Sequence, residues 1–157
     1  MHNPRTLPVI VGVGQVNDRP AVPGDGMDPV ALMVEALRRA ASDAGGRGGW
    51  LQECEHLACV GQIGWPQINP VTDTVADRLG MGAAERVETT PHGDRPLLLL
   101  NEAANRIGSG DASICAVTGG EALRTAGQLA ALKRELDGAP PTRADPLRDA
   151  SHRRRVG

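Results

Sequence analysis

Four short apolar runs, each followed by turn residues and then a segment with helical spacing, govern what this chain can fold into. The first run covers residues 8–13 and ends at Gly12-Val13-Gly14. The others cover residues 56–63, 86–90 and 112–118. A short apolar run bounded by turn signals reads as a buried strand. Behind the first run, Asp28-Pro29 has the form of an N-cap followed by proline at the first helical position. Val30, Val34, Leu37, Ala41 and Ala44 then recur at helical spacing, and Gly45-Gly46 stops the helix. Asn69-Pro70 opens a second helix carrying Val71, Val75 and Leu79, with Gly80 as its stop. Pro96 begins a third that ends near Ile107 and Gly108, and a fourth covers residues 122–136. Strands alternating with helices imply an α/β fold, β-α-β-α-β-α-β with a closing helix, on a mostly parallel sheet with right-handed crossovers.

The third helix adds a constraint. Leu97, Leu98, Leu99 and Leu100 cover every side of one turn, and Ala103, Ala104 and Ile107 continue one stripe. A helix apolar all round is a buried helix. It is expected to be a buried central helix, covered by the fourth helix, by a loop, or by another half-domain or subunit.

Composition narrows the function classes. Trp50 and Trp65 are the only aromatic residues among 157, so the core must be aliphatic and a base-stacking nucleic-acid surface is not expected. A net charge of −2 supplies no global field for polyanions. Runs such as 97–100 are too short to span a bilayer, and the N-terminus has no apolar segment before a cleavage site. Cys54, Cys59 and Cys115 show no CxxC spacing, which fits a reducing cytoplasm. Residues 1–138 read as one domain. Residues 139–157, with Pro140, Pro141, Pro146 and five arginines, cannot bury enough surface to fold and are expected to be a disordered tail. Arg153-Arg154-Arg155 offers a nucleic-acid arm as a minor reading of that tail, and a frameshifted ending as another.

Motifs for familiar chemistry are mostly missing. Gly12-Val13-Gly14 follows a strand signal, but Asn17 stands where a dinucleotide fingerprint needs its third glycine and no helix begins there. A nucleotide-binding α/β domain therefore remains only an alternative. His2, His56, His92 and His152 lack metal-ligand spacing, so no metal is expected. Cys59 and Cys115 lie in strand signals and read as small buried hydrophobes. Cys54 stands between Glu53 and Glu55, whose charges oppose a thiolate.

Residues 87–124 carry a more specific pattern. Thr89-Thr90-Pro91-His92-Gly93 leads into the third helix, which runs to Ala103-Ala104-Asn105-Arg106-Ile107-Gly108-Ser109-Gly110-Asp111-Ala112. The next strand ends in Gly119-Gly120-Glu121, and the opening Thr6-Leu7-Pro8-Val9-Ile10-Val11-Gly12-Val13-Gly14 belongs with them. Together these segments resemble the N-terminal half of the thiolase superfamily, of the acetyl-CoA acetyltransferase-like, sterol-carrier type. The resemblance covers roughly residues 5–125. It implies an acyl-CoA acyltransferase of lipid or sterol metabolism, with acyl-CoA as substrate or ligand and no covalently bound cofactor. It further implies a homo-oligomer or a partner subunit. In that family a strand delivers a cysteine to the N-terminus of the buried helix; here the corresponding position falls at Gly93, which has no side chain. A second half supplying His- and Cys-containing motifs is implied as well, so this chain is expected to be incomplete and inactive alone. His92, beside the vacant position, is the one candidate catalytic residue, as an acid–base or carbonyl-binding group; the competing reading is an exposed turn histidine. Asp94 is expected to cap the third helix, and Glu121 to cap the fourth or hold a loop.

Overall fold

The computed structural model describes residues 7–45 and 49–137. Gly46 and the tail over 139–157 lie outside the described residues. Helix α1 spans Pro29–Asp43, and the Asp28 carboxylate caps it by accepting from the Ala31 amide at 2.8 Å. Strand β1 spans His56–Val60, α2 Thr72–Leu79, β2 Glu85–Thr89, α3 Arg95–Ser109, β3 Cys115–Thr118 and α4 Leu123–Leu136. Gly45, Gly80 and Gly110 take the left-handed conformation just past α1, α2 and α3, where a side chain would be strained.

The three strands form one parallel sheet in the order β2-β1-β3. The β1–β2 and β2–β3 crossovers therefore run in opposite directions across the sheet. Right-handed connections then put α2 and α3 on opposite faces, and the packing agrees: α1 contacts α2 on one face, while α3 lies on β1 and β3. Side chains alternate along β1 accordingly. Leu57 and Cys59 join the main core of Met33, Val34, Leu37, Val75 and Met81 from the α1/α2 layer. Ala58 is buried toward α3, which contributes Leu99 and Ala103.

Two expectations need correction. The run over residues 8–13 is not a strand: it forms no ladder with the sheet, and Val9, Ile10, Val11 and Val13 are exposed. It lies on α1 instead. A Cβ on Gly12 would stand 2.1 Å from the Ala40 carbonyl oxygen, and one on Gly14 would stand 2.0 Å from that of Ala36. The glycines permit a backbone-to-helix contact that no other residue could make. The central helix, too, is covered on one side only. Leu97, Leu98 and Leu100 are 64%, 47% and 42% exposed. Helix α4 does not cover them, because it packs on the loop at 24–26, where Gly26 faces Thr125 and Gly24 faces Leu132.

Candidate functional site

In a parallel sheet all carboxyl ends point one way, and the loops leaving them form the natural crevice. Here the loops after β1, β2 and β3 enclose a cavity of about 470 Å³ lined by residues that include Val60, Ile63, His92, Gly93, Pro96 and Glu121. Each loop is fastened differently. The Glu121 carboxylate accepts from the Ile63 amide at 2.6 Å and the Gly64 amide at 3.1 Å, so it holds the loop after β1 and does not cap α4. Asn69 and Gln62 close that loop from within: the Gln62 amide donates to Asn69 Oδ1 at 2.9 Å, and Asn69 Nδ2 donates to the Gln62 carbonyl at 3.0 Å. Trp65 Nε1 donates to the Ala122 carbonyl at 3.3 Å, tying it to the loop after β3.

The N-terminus of α3 opens into this cavity. Asp94 stands at the N-cap position, yet its side chain makes no cap hydrogen bond. The expectation that it caps the helix is corrected: its Oδ1 lies 2.7 Å from His92 Nδ1 and 3.7 Å from Arg95 Nε. The His92 hydrogen bond holds the Asp94 carboxyl below the usual aspartate range, with Arg95 adding to the effect. An ionised carboxylate only accepts, so in this pair Nδ1 carries the proton and Nε2 is left facing outward. His92 is exposed, and a Cβ on Gly93 would meet nothing within 4 Å. His92 thus stands exposed in the turn before α3, as the competing reading of a turn histidine had it, paired with Asp94 and beside Gly93 at the helix N-terminus.

None of the three cysteines lines that cavity. Cys54 precedes β1 and its Sγ contacts the His56 carbonyl at 3.2 Å. Burial is the largest cause raising its pKa, and the Glu55 charge adds to it; the flanking acids are thus secondary to the burial that sequence alone did not show. Cys59 is pushed up to about 12, chiefly by burial. Cys115 is raised as well, again mainly by burial, at the far end of β3. These thiols are protonated near neutral pH and fill space. Among the described residues no cluster of His, Cys, Asp and Glu suits a metal ion, and no helix is long and apolar enough to cross a membrane.

No protein-family model and no curated protein matches the sequence. Solved structures do match. A monomeric SCP2-thiolase-like protein, type 1, from Mycobacterium smegmatis aligns over 73% of this chain at 28% identity with a TM-score of 0.59. The chain has a thiolase-superfamily fold. A priming β-ketosynthase of the R1128 polyketide pathway shares it over 71% of this chain, at 20% identity and a TM-score of 0.59. This chain spans 23% of the length of the first protein and 41% of the second. The fold similarity agrees with the pattern over residues 87–124, and the cavity at the α3 N-terminus is where that pattern leads.

Proposed function

We propose that this thiolase-like chain binds an acyl-CoA thioester without forming an acyl-enzyme, as part of an acetyl-CoA acetyltransferase-type system of lipid metabolism. The observation that carries the reading is Gly93: it occupies the mouth of α3 in open space, and no cysteine lines the cavity beside it. A helix N-terminus offers the positive end of the helix dipole to a carbonyl oxygen or phosphate, although in α3 the Arg95 amide already donates to the His92 carbonyl at 3.2 Å and Pro96 has no N–H. With its Nδ1 hydrogen-bonded to Asp94, His92 presents the lone pair of Nε2, which can accept a proton from a bound acyl group. Acyl transfer through a covalent intermediate would need a nucleophile, and glycine provides none. The free cysteines support a reducing cytoplasmic setting. The uncovered leucines of α3 support pairing with a further subunit, whether another copy or a different chain.

The test is a thermal melt of the full chain with acetyl-CoA, with free CoA, and with NAD or ATP, together with intact-mass analysis after incubation with acetyl-CoA. A ligand at a hundred times its Kd stabilises the folded state by about 2.7 kcal/mol. The expected result is an upward shift with acetyl-CoA and an unchanged mass. A melt that ignores acetyl-CoA and rises with NAD or ATP would replace this reading with nucleotide binding. An added acetyl mass at any residue would refute the non-covalent part.

A further inference from the structure

A second cavity, of about 480 Å³, lies against the first turn of α4. It shares only Glu121 with the cavity at the mouth of α3. A volume in this range suits a small organic molecule. Val16, Met27 and Leu32 give it an apolar side. Arg19, from the loop before α1, and Arg124, from α4, give it two cations.

The donors around this cavity are free, while its carboxylates are engaged. Arg19 Nε donates to Asn17 Oδ1 at 3.1 Å, which steadies the guanidinium and leaves both terminal nitrogens unbonded. Arg124 makes no hydrogen bond or ion pair among the described residues. Helix α4 has no side-chain cap, and the amides of Leu123, Arg124 and Thr125 find no acceptor among the described residues. Those amides carry the positive end of the helix dipole. Thr125 lines the cavity at 7% exposure, and its hydroxyl has no hydrogen-bond partner. Leaving a hydroxyl so buried unpaired is costly, and an oxygen held in the cavity would pair it. The acids are already occupied: Asp18 Oδ2 accepts from the Met27 amide at 2.5 Å, and the two oxygens of Glu121 accept from the Ile63 and Gly64 amides.

We propose that this cavity binds a small phosphate monoester, with the phosphoryl group held by Arg19, Arg124, the Thr125 hydroxyl and the first amides of α4, and with an apolar body against Val16, Met27 and Leu32. Guanidinium forks and helix N-terminal amides both match phosphate oxygens. A phosphate monoester is close to dianionic near neutral pH, which suits two cations and a helix end better than a monocarboxylate does. A bare phosphate ion would leave the apolar side of the cavity unused. The acyl-CoA reading does not enter this inference, because the donors named here lie outside the cavity at the mouth of α3.

The test is calorimetric titration of the full chain with n-butyl phosphate, inorganic phosphate and n-butanol. The expected result is saturable binding of butyl phosphate, weaker binding of inorganic phosphate and none of butanol. Arg19 and Arg124 are exposed, so Arg19→Gln and Arg124→Gln should leave the melt unchanged while each weakens butyl phosphate binding by about tenfold or more. Thr125→Val keeps the side-chain shape and should also weaken binding, without lowering Tm. Arg38→Gln, at an exposed α1 arginine outside the cavity, should bind as the wild type does. Excess acetyl-CoA should not displace butyl phosphate. No binding, equal affinity for inorganic phosphate, wild-type binding by Arg124→Gln, an equal loss in Arg38→Gln, or displacement by acetyl-CoA would each overturn the proposal.

Discussion

Glu88 caps a helix from the neighbouring strand: its Oε2 accepts from the Val71 amide at 2.6 Å, the Thr72 amide at 3.1 Å and the Thr72 hydroxyl at 2.9 Å. Helix α2 has no side-chain cap of its own, so the β2 carboxylate serves its first turn across the fold. Glu88→Ala leaves two amides unpaired and should cost about 1–2 kcal/mol. A fall in Tm of about 5 °C is expected. Glu88→Gln retains an acceptor and should lose less. Equal melts for wild type and Glu88→Ala would show that water replaces the cap.

His56 is buried at the start of β1, and neither ring nitrogen has a hydrogen-bond partner. Burial lowers its pKa from 6.5, with Arg106 adding to the effect and Glu102 and Glu85 opposing it. The unfolded chain therefore takes up a proton at a pH where the folded chain does not. Stability from this group is complete above about pH 6.5 and is lost as pH falls from there through the lower folded-state value. Melts between pH 8 and 5 should show this decline, and His56→Leu should flatten it. An unchanged pH profile in His56→Leu would assign the acid sensitivity to other groups.

Gly93→Cys should create a reactive thiol. The added Cβ has open space, so stability should change by no more than about 0.5 kcal/mol. The α3 N-terminus should bring the alkylation midpoint below the usual cysteine value of about 8.5. Asp94 opposes this, so pairing the change with Asp94→Asn should lower it further. The native thiols are held protonated largely by burial, so rapid iodoacetamide labelling near neutral pH reports the new one. A midpoint above that of free cysteine would show that the helix end does not act at this position.

Gly14→Ala tests the seat of the N-terminal segment. Its Cβ would fall 2.0 Å from the Ala36 carbonyl oxygen, a backbone atom that cannot turn aside. The segment must lift, at a cost of about 1–3 kcal/mol. Limited proteolysis should cut residues 7–15 faster, while β1, β2 and β3 keep their amide protection. Unchanged cleavage would mean that α1 yields instead.

Much of this architecture was legible in the residue order. Apolar runs bounded by turn residues located β1, β2 and β3 to within a few residues, Asp28-Pro29 marked the start of α1 and Gly80 fell just past α2, while α3 runs to Ser109, slightly beyond the end read near Ile107 and Gly108. These signals are local: a cap, a stop or a period acts within a few positions of itself. The pattern around His92, Gly93 and Gly119-Gly120-Glu121 likewise pointed to residues that the fold gathers around one cavity.

What the sequence could not settle was everything that depends on a distant partner. The 8–13 run has the same pattern as a strand, but a strand exists only where another strand bonds to it, and here α1 holds the run away from β3. The leucines of α3 showed a helix meant for cover, yet whether cover is present depends on which elements lie over it. Glu88 reaches an α2 cap 16 residues away, and Glu121 holds a loop 57 residues away. No local pattern encodes those pairings. Sequence determined the elements and their caps because backbone preference is short-ranged; tertiary structure alone decided edges, covers and long-range hydrogen bonds, because these arise only when chain packing brings remote groups within a few ångströms.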